Sequence, residues 1–171
     1  LQDSSGTGTP YITGAVLQVK QSILRTTWTS ASSSTAFEDT PLSVSITPQS
    51  TNSKILITGM INNGGNVGSH YDYKVVRNGA DILLSTETMG NKTKSHIHHY
   101  IETAVLSYNI FADSINLLDE PSSTSALTYT LQGGTPNSVS YITYLNRSGR
   151  TNDNAWNAYT VSTLTAMEIG G

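Results

Sequence analysis

Three of the chain's four histidines fall in one run, His96-Ile97-His98-His99. In a strand, side chains alternate with period two, so His96 and His98 share a face. In a three-fold assembly, two imidazoles per chain would surround one axial metal ion. The same pair serves equally as two surface or interface histidines without metal, because a zinc site ordinarily needs four ligands and a supporting shell of hydrogen bonds. His70, the fourth, reads as an ordinary loop residue beside a Gly-rich stretch.

A second set lies near the C-terminus. Arg147, Arg150, Asn152, Asp153, Trp156 and Tyr159 put two guanidinium groups, an amide, a carboxylate and two large rings into one connection. Sugars are bound by such sets: a ring stacks on the C–H face, amides and carboxylates bond the hydroxyls, and Arg suits anionic groups. The competing reading is a solvated loop whose Trp156 tucks into the end of the fold. The segment Asn62 to Tyr73 is the second choice for such a contact.

Catalysis has little to build on. Glu38-Asp39 and Asp119-Glu120 are adjacent acids, but neighbours in a strand point to opposite faces, whereas a glycosidase holds two carboxylates about 5–10 Å apart across one bond. There is no Gly-x-Ser-x-Gly elbow and no phosphate-binding glycine motif. Cysteine is absent, which removes thiolate chemistry and disulfides. The expectation is a protein that is not an enzyme.

The elements that position these residues come from a chain of 171 residues, one domain's length. Charged residues are 12%, about half the usual ~25%, and the surplus is Ser, Thr and Asn. With nine Lys and Arg against twelve acids, no basic stripe is available for nucleic acid. No apolar run approaches the roughly 18 residues of a membrane helix, so membrane insertion is not expected. The N-terminus lacks a basic region and an initiator Met, and is expected to be a processed end or part of a longer chain. Residues 1–14, rich in Gly, Ser and Thr, read as a flexible lead-in or linker, with one domain over 15–171.

Beyond Gly14 the period is two. Strands are expected over Val16–Thr29, Leu42–Thr47, Lys54–Ile61, Ile97–Ser107, Ile110–Leu118, Ala126–Gln132, Val139–Leu145 and Tyr159–Ile169. Asn62-Asn-Gly-Gly-Asn-Val-Gly68 and Gly133-Gly134 are expected as turns. Asn78-Gly79 between β-rich runs is the signature of a type I′ hairpin, whose two central residues need positive φ. No stretch shows a capped 3.6-residue period. The fold class is therefore all-β: an antiparallel β-sandwich, jelly-roll-like. Nine Tyr against two Phe suits wet recognition surfaces at loop positions, while in strands such as Tyr141-Ile-Thr-Tyr144 the half-buried core reading prevails. The triplets Asn91-Lys-Thr93 and Asn146-Arg-Ser148 match glycosylation acceptors, as chance alone allows in so Ser/Thr-rich a chain.

Several of these stretches carry a resemblance. Gly14-Ala-Val-Leu-Gln-Val19, Phe37-Glu-Asp-Thr-Pro-Leu-Ser-Val-Ser-Ile46, Ser53-Lys-Ile-Leu-Ile57, Val75-Val-Arg-Asn-Gly-Ala-Asp-Ile82 and the closing Ser162-Thr-Leu-Thr-Ala-Met-Glu-Ile169 resemble the C-terminal β-sandwich domain of tail fibres and related virion appendages of tailed phages, especially marine and cyanobacterial ones. The resemblance implies a homotrimer displayed on the virion that contacts other virion proteins and a host surface glycan or protein receptor. The alternative is a capsid decoration or head-fibre protein on the virion shell. A secreted carbohydrate-binding module is a third class, though Trp28 and Trp156 stand too far apart in sequence to announce a planar tryptophan row. No cofactor is expected beyond the axial metal ion that His96 and His98 allow.

Overall fold

β-branched and aromatic residues in alternation favour pleated strands, and the Gly, Pro, Asn and Ser clusters between them favour turns. The computed structural model describes residues 13–31, 35–88, 90–136, 138–150, 152 and 157–171. In chain order the elements are β1 (Val16–Leu24), β2 (Trp28–Thr29), β3 (Glu38–Ile46), β4 (Lys54–Gly65), β5 (His70–Arg77), β6 (Ala80–Asp81), β7 (Ile97–Tyr100), a 3-10 turn (Leu106–Tyr108), β8 (Phe111–Asp119), β9 (Leu127–Gly134), β10 (Thr143–Leu145) and β11 (Ser162–Ile169). All pairings are antiparallel.

Two sheets form. In the first, β11 lies between β1 and β4, and β8 lines the other side of β4. The short β10 continues the lane of β11 along Asn63–Gly65, with β2 beyond it continuing the lane of β1. The second sheet runs β3, β9, β5, and then β6 and β7 share the far side of β5. Counted as lanes in chain order, the sheets read 1-8-3-6 and 2-7-4-5, the strand order of a jelly roll. The expected sandwich is therefore present.

Inward residues interdigitate between the layers: Leu42, Ile55, Ile57, Ile61, Leu131 and Leu164 are fully buried. So are Tyr71, Tyr73 and Tyr129, all three in strands, where tyrosine packs into the core. The Tyr73 hydroxyl is 2.7 Å from Thr143 Oγ1 and donates to the Tyr144 carbonyl at 3.0 Å, tying the second sheet to β10. A buried Tyr is tolerated when its hydroxyl finds such a partner.

The hairpin forms as its sequence dictates. Asn78 and Gly79 have φ of 49° and 79° and join β5 to β6. Five other expectations are corrected. Asn62–Gly65 continues β4, and Gly133-Gly134 ends β9 as strand. These glycines serve close approach: a Cβ on Gly65 would lie 2.7 Å from the Tyr71 ring, and one on Gly133 2.6 Å from the Tyr73 ring. The long strand expected over Val16–Thr29 breaks after Leu24, the one expected over Ile97–Ser107 stops at Tyr100, and the one expected over Val139–Leu145 starts only at Thr143. Asn146, buried at φ 63°, donates its amide to the carbonyls of Leu24 and Thr26 and accepts from Ser162, each within 2.8 Å. It pins that break and has no surface from which to carry a glycan.

The outward face of the first sheet is distinctive. Alternation sends Val19, Gln21 and Ile23 of β1 and Thr163, Thr165 and Met167 of β11 outward. Leu56, Thr58 and Met60 of β4 and Ala112, Ser114, Asn116 and Leu118 of β8 join them. None is charged; the Lys54–Glu120 ion pair closes the face at one end, and the exposed Lys20 and Arg25 flank it along β1 and just beyond. Val19, Met60 and Leu118 are each about half exposed. A face this wide without Lys, Arg, Asp or Glu is rare on a chain surrounded only by water.

At the other extreme of polarity, Glu168 is fully buried at the end of β11. It accepts from Ser53 Oγ at 2.7 Å, the Gln49 N–H at 2.7 Å and Gln18 Nε2 at 2.6 Å. Burial by itself raises a carboxyl, but the donors from Ser53, Gln18, Gln49 and Ser50 outweigh it and hold Glu168 below its ordinary 4.5. A carboxylate with a depressed folded value stabilises the fold above its unfolded value and loses that contribution as pH falls through the folded value. Acid titration of unfolding free energy is therefore expected to fall from about pH 4.5 downward. In Glu168→Gln that limb flattens, and an unchanged limb would assign the acid sensitivity elsewhere.

Candidate functional site

The outward face of the second sheet carries a cleft of about 640 Å³ lined by His70, Asp72, Asn91, Lys92, Thr93, Ser95, His98 and Pro136. Its floor is His70, Asp72 and His98, which belong to two cross-strand pairs. His70 of β5 faces Tyr100 of β7, and Asp72 faces His98. Because residues two apart on a strand share a face, His70 with Asp72 and Tyr100 with His98 form one four-residue patch. Residues 91–95, outside any strand, make one wall, and Pro136 after β9 contributes to another.

Asp72 is 1% exposed. Its Oδ1 accepts from Ser95 Oγ at 2.6 Å and lies 3.0 Å from His98 Nδ1, while its Oδ2 is shielded from solvent and has no hydrogen-bond partner among the described residues. A carboxylate only accepts, so His98 Nδ1 carries the proton and Nε2 is left as the acceptor of the neutral ring. The His98 side chain is 57% exposed toward the cleft. Tyr100, His70 and His98 form a ring stack, with centroids 4.2 Å apart for the first pair and 5.8 Å for the second. The planes of His70 and His98 are only 26° from parallel. A metal ion lies near the plane of each imidazole it binds, about 2.0–2.1 Å from nitrogen, and no such point serves both rings in this arrangement.

His96 sits just before β7 and turns elsewhere. Its Nδ1 accepts from the Val75 N–H at 3.0 Å, and burial pushes the imidazole below its ordinary value against the opposing pull of the Leu83 and Ile82 carbonyls. With Nε2 shielded from solvent as well, His96 and His98 do not present a shared pair of ligating nitrogens. Among the described residues no group of three or more His, Asp or Glu side chains is placed to hold a metal ion. His99 points inward, with Nε2 2.8 Å from Asp113 Oδ2 and its ring stacked on Phe111 at 4.6 Å. It joins β7 to β8 and so fastens the two sheets at one edge.

The described start of the C-terminal connection, residues 147–150, is held by its own cations. Arg147 donates to the carbonyls of Ser148 and Arg150 and lies 4.5 Å above the Tyr144 ring. Arg150 donates to the Ala104 carbonyl at 3.1 Å and lies 4.3 Å above the Tyr108 ring. Both guanidinium groups thus hold the connection against the sandwich end and the 3-10 turn. Asn152 is exposed, with its carbonyl accepting from Asn157 Nδ2. Tyr159 is 82% exposed and bridges Arg147 through the backbone. Asp153 and Trp156 lie outside the described residues. The structure therefore brings Arg147, Arg150 and Tyr159 together, with the arginines in scaffolding positions.

Ser95 escapes sequence reasoning; His70 and Asp72 lie inside the second-choice segment Asn62 to Tyr73, where His70 reads only as a loop residue and Asp72 is not singled out. Their meeting depends on the register of β5 with β7, partners separated by more than twenty residues, which no local pattern states. The adjacent acids behave as strand alternation requires: Asp119 turns inward, and Glu120 pairs with Lys54 outside. No protein-family model matches the chain, and no curated protein is significantly similar to it.

Proposed function

We propose that this chain is the β-sandwich head of a tailed-phage virion appendage, a tail-fibre domain that assembles as a homotrimer and attaches the virion to the host surface. Its task is binding rather than catalysis. The observation that carries the reading is the uncharged outward face of the β1-β11-β4-β8 sheet. Its half-exposed Val19, Met60 and Leu118 gain by being covered, and a face without charge meets another copy of the same chain without repulsion. Ser, Thr and Asn between them pair across an interface at little desolvation cost.

Trimerisation through that face turns the second sheet, with its cleft, to the outside. It also carries His96 and His98 away from the axis, so the reading proceeds without an axial metal ion. Three outward sites on one head, multiplied over several fibres, reach useful avidity from weak individual contacts. The virion context rests on the resemblance of the strand segments to phage appendage domains.

The test is adsorption competition with the recombinant protein. Trimer in excess is expected to lower adsorption of the parent phage to its host by about tenfold or more through multivalent occupation of receptor. A trimer that leaves adsorption untouched contradicts host attachment and favours the capsid decoration or head-fibre role.

A further inference from the structure

We infer that the cleft over Asp72 and His98 is a subsite for one ring of a neutral, hydroxyl-rich saccharide. The inference rests on the host-attachment reading only for its biological use, since the chemistry of the cleft stands by itself.

The lining selects the ligand by exclusion and by match. Asp72, a carboxylate almost wholly removed from water on the cleft floor, repels an anionic group. Lys92 at the wall opposes a cation, and the near-parallel planes of His70 and His98 exclude a metal ion shared between them. What remains is an uncharged molecule that both donates and accepts. Sugar hydroxyls do both: one donates to His98 Nε2, another accepts from Lys92 or Thr93. Asp72 holds the tautomer that makes His98 Nε2 an acceptor.

Asp72 Oδ2 is the second and independent sign. It is buried and has no donor among the described residues, a state that native interiors seldom keep without a ligand or a rearrangement to relieve it. Ser95 already donates to Oδ1 from the non-strand wall, so a shift of that wall that lets a sugar hydroxyl donate to Oδ2 completes the carboxylate's bonding. The Tyr100–His70–His98 stack keeps the floor rigid before the ligand arrives, which lowers the ordering cost of binding.

The experiment follows the imidazole NMR signals of His70 and His98 while D-glucose, D-galactose, D-mannose, L-rhamnose and N-acetylglucosamine are titrated in turn. At least one is expected to shift both signals saturably at millimolar concentration. Asp72→Asn and His98→Ala, each checked for an unchanged melting transition, are expected to weaken that binding about tenfold or more, as loss of a charge-assisted hydrogen bond does. The exposed His98→Ala carries the test if Asp72→Asn does not fold. Saturation by none of the sugars overturns the inference, and so does binding that survives in the folded variants. If wild-type and His98→Ala trimers block phage adsorption equally, the cleft loses its role while host attachment stands. If sugar binds the cleft and neither trimer blocks adsorption, the cleft stands and host attachment falls.

Discussion

Deletion of residues 162–171 leaves a chain that does not fold. β11 is an inner strand of its sheet, paired along its length to β1 on one side and to β4 over Lys54–Met60 on the other. Its removal strips the ladder partners of both neighbours and leaves an open lane where the backbone groups of β1 and β4 face each other across a gap. It also removes Leu164 and Ala166, both fully buried, and the carboxylate that gathers Ser53, Gln49 and Gln18. Leu164 alone accounts for about 2–5 kcal/mol on truncation to Ala, against a net stability of about 5–15 kcal/mol for a whole domain. Circular dichroism and thermal melting of the truncated chain are expected to show no cooperative transition. A soluble truncation that melts cooperatively would mean that β11 is peripheral.

Asp119→Ala is expected to cost about 3–5 kcal/mol, the range for removing one partner of a buried ion pair. Asp119, at the end of β8 in the first sheet, is 5% exposed. It accepts from Arg77 Nη1 of β5 at 2.6 Å and from the Tyr129 hydroxyl of β9 at 2.7 Å, both in the second sheet. Burial and the neighbouring carboxylate push the Tyr129 hydroxyl above its ordinary value, so it stays protonated and donates. The substitution leaves a guanidinium and a phenol at the layer boundary without their acceptor, in addition to the missing packing. Denaturant unfolding should show the midpoint falling with an unchanged slope, and Asp119→Asn should fall less because an amide oxygen still accepts. A change below about 1 kcal/mol, within the range of an exposed pair, would show that solvent replaces the contact.

Much of the sandwich was legible in local pattern. Leu42, Val44 and Ile46 alternate with polar residues and form β3; Asn78-Gly79 makes its hairpin because few other dipeptides tolerate two consecutive positive φ values. The errors came where tertiary contact overrides local meaning. Gly64, Gly65 and Gly133 have the composition of turns, yet they lie in strands because Tyr71, Tyr73 and the Arg147 carbonyl need the space a Cβ would fill. Tyrosine counts said nothing about Tyr73 and Tyr129, whose hydroxyls reach partners on the opposite layer.

The site followed the same division. The run from His96 to His99 announced itself, but its three imidazoles go to three tasks: a backbone acceptor at Val75, an aspartate in a cleft and a clamp between sheets. Arg147 and Arg150 stood out for their chemistry, and their backbone carbonyl partners depend on a loop path that composition does not encode. The uncharged face was hidden for a related reason. Its residues come from four strands scattered between Val19 and Met167, and only the sheet order brings them side by side.

That face holds the central claim, which is that copies of this chain cover it. Light scattering of the purified protein, alongside Met60→Glu, tests it most directly. Met60 is 48% exposed in the single chain, so a glutamate there leaves the fold intact while placing a charge in the middle of the contact. The account predicts a particle of three chains for the wild type and a folded single chain for the variant. A wild type that runs as a monomer, or a variant that remains trimeric, would contradict it.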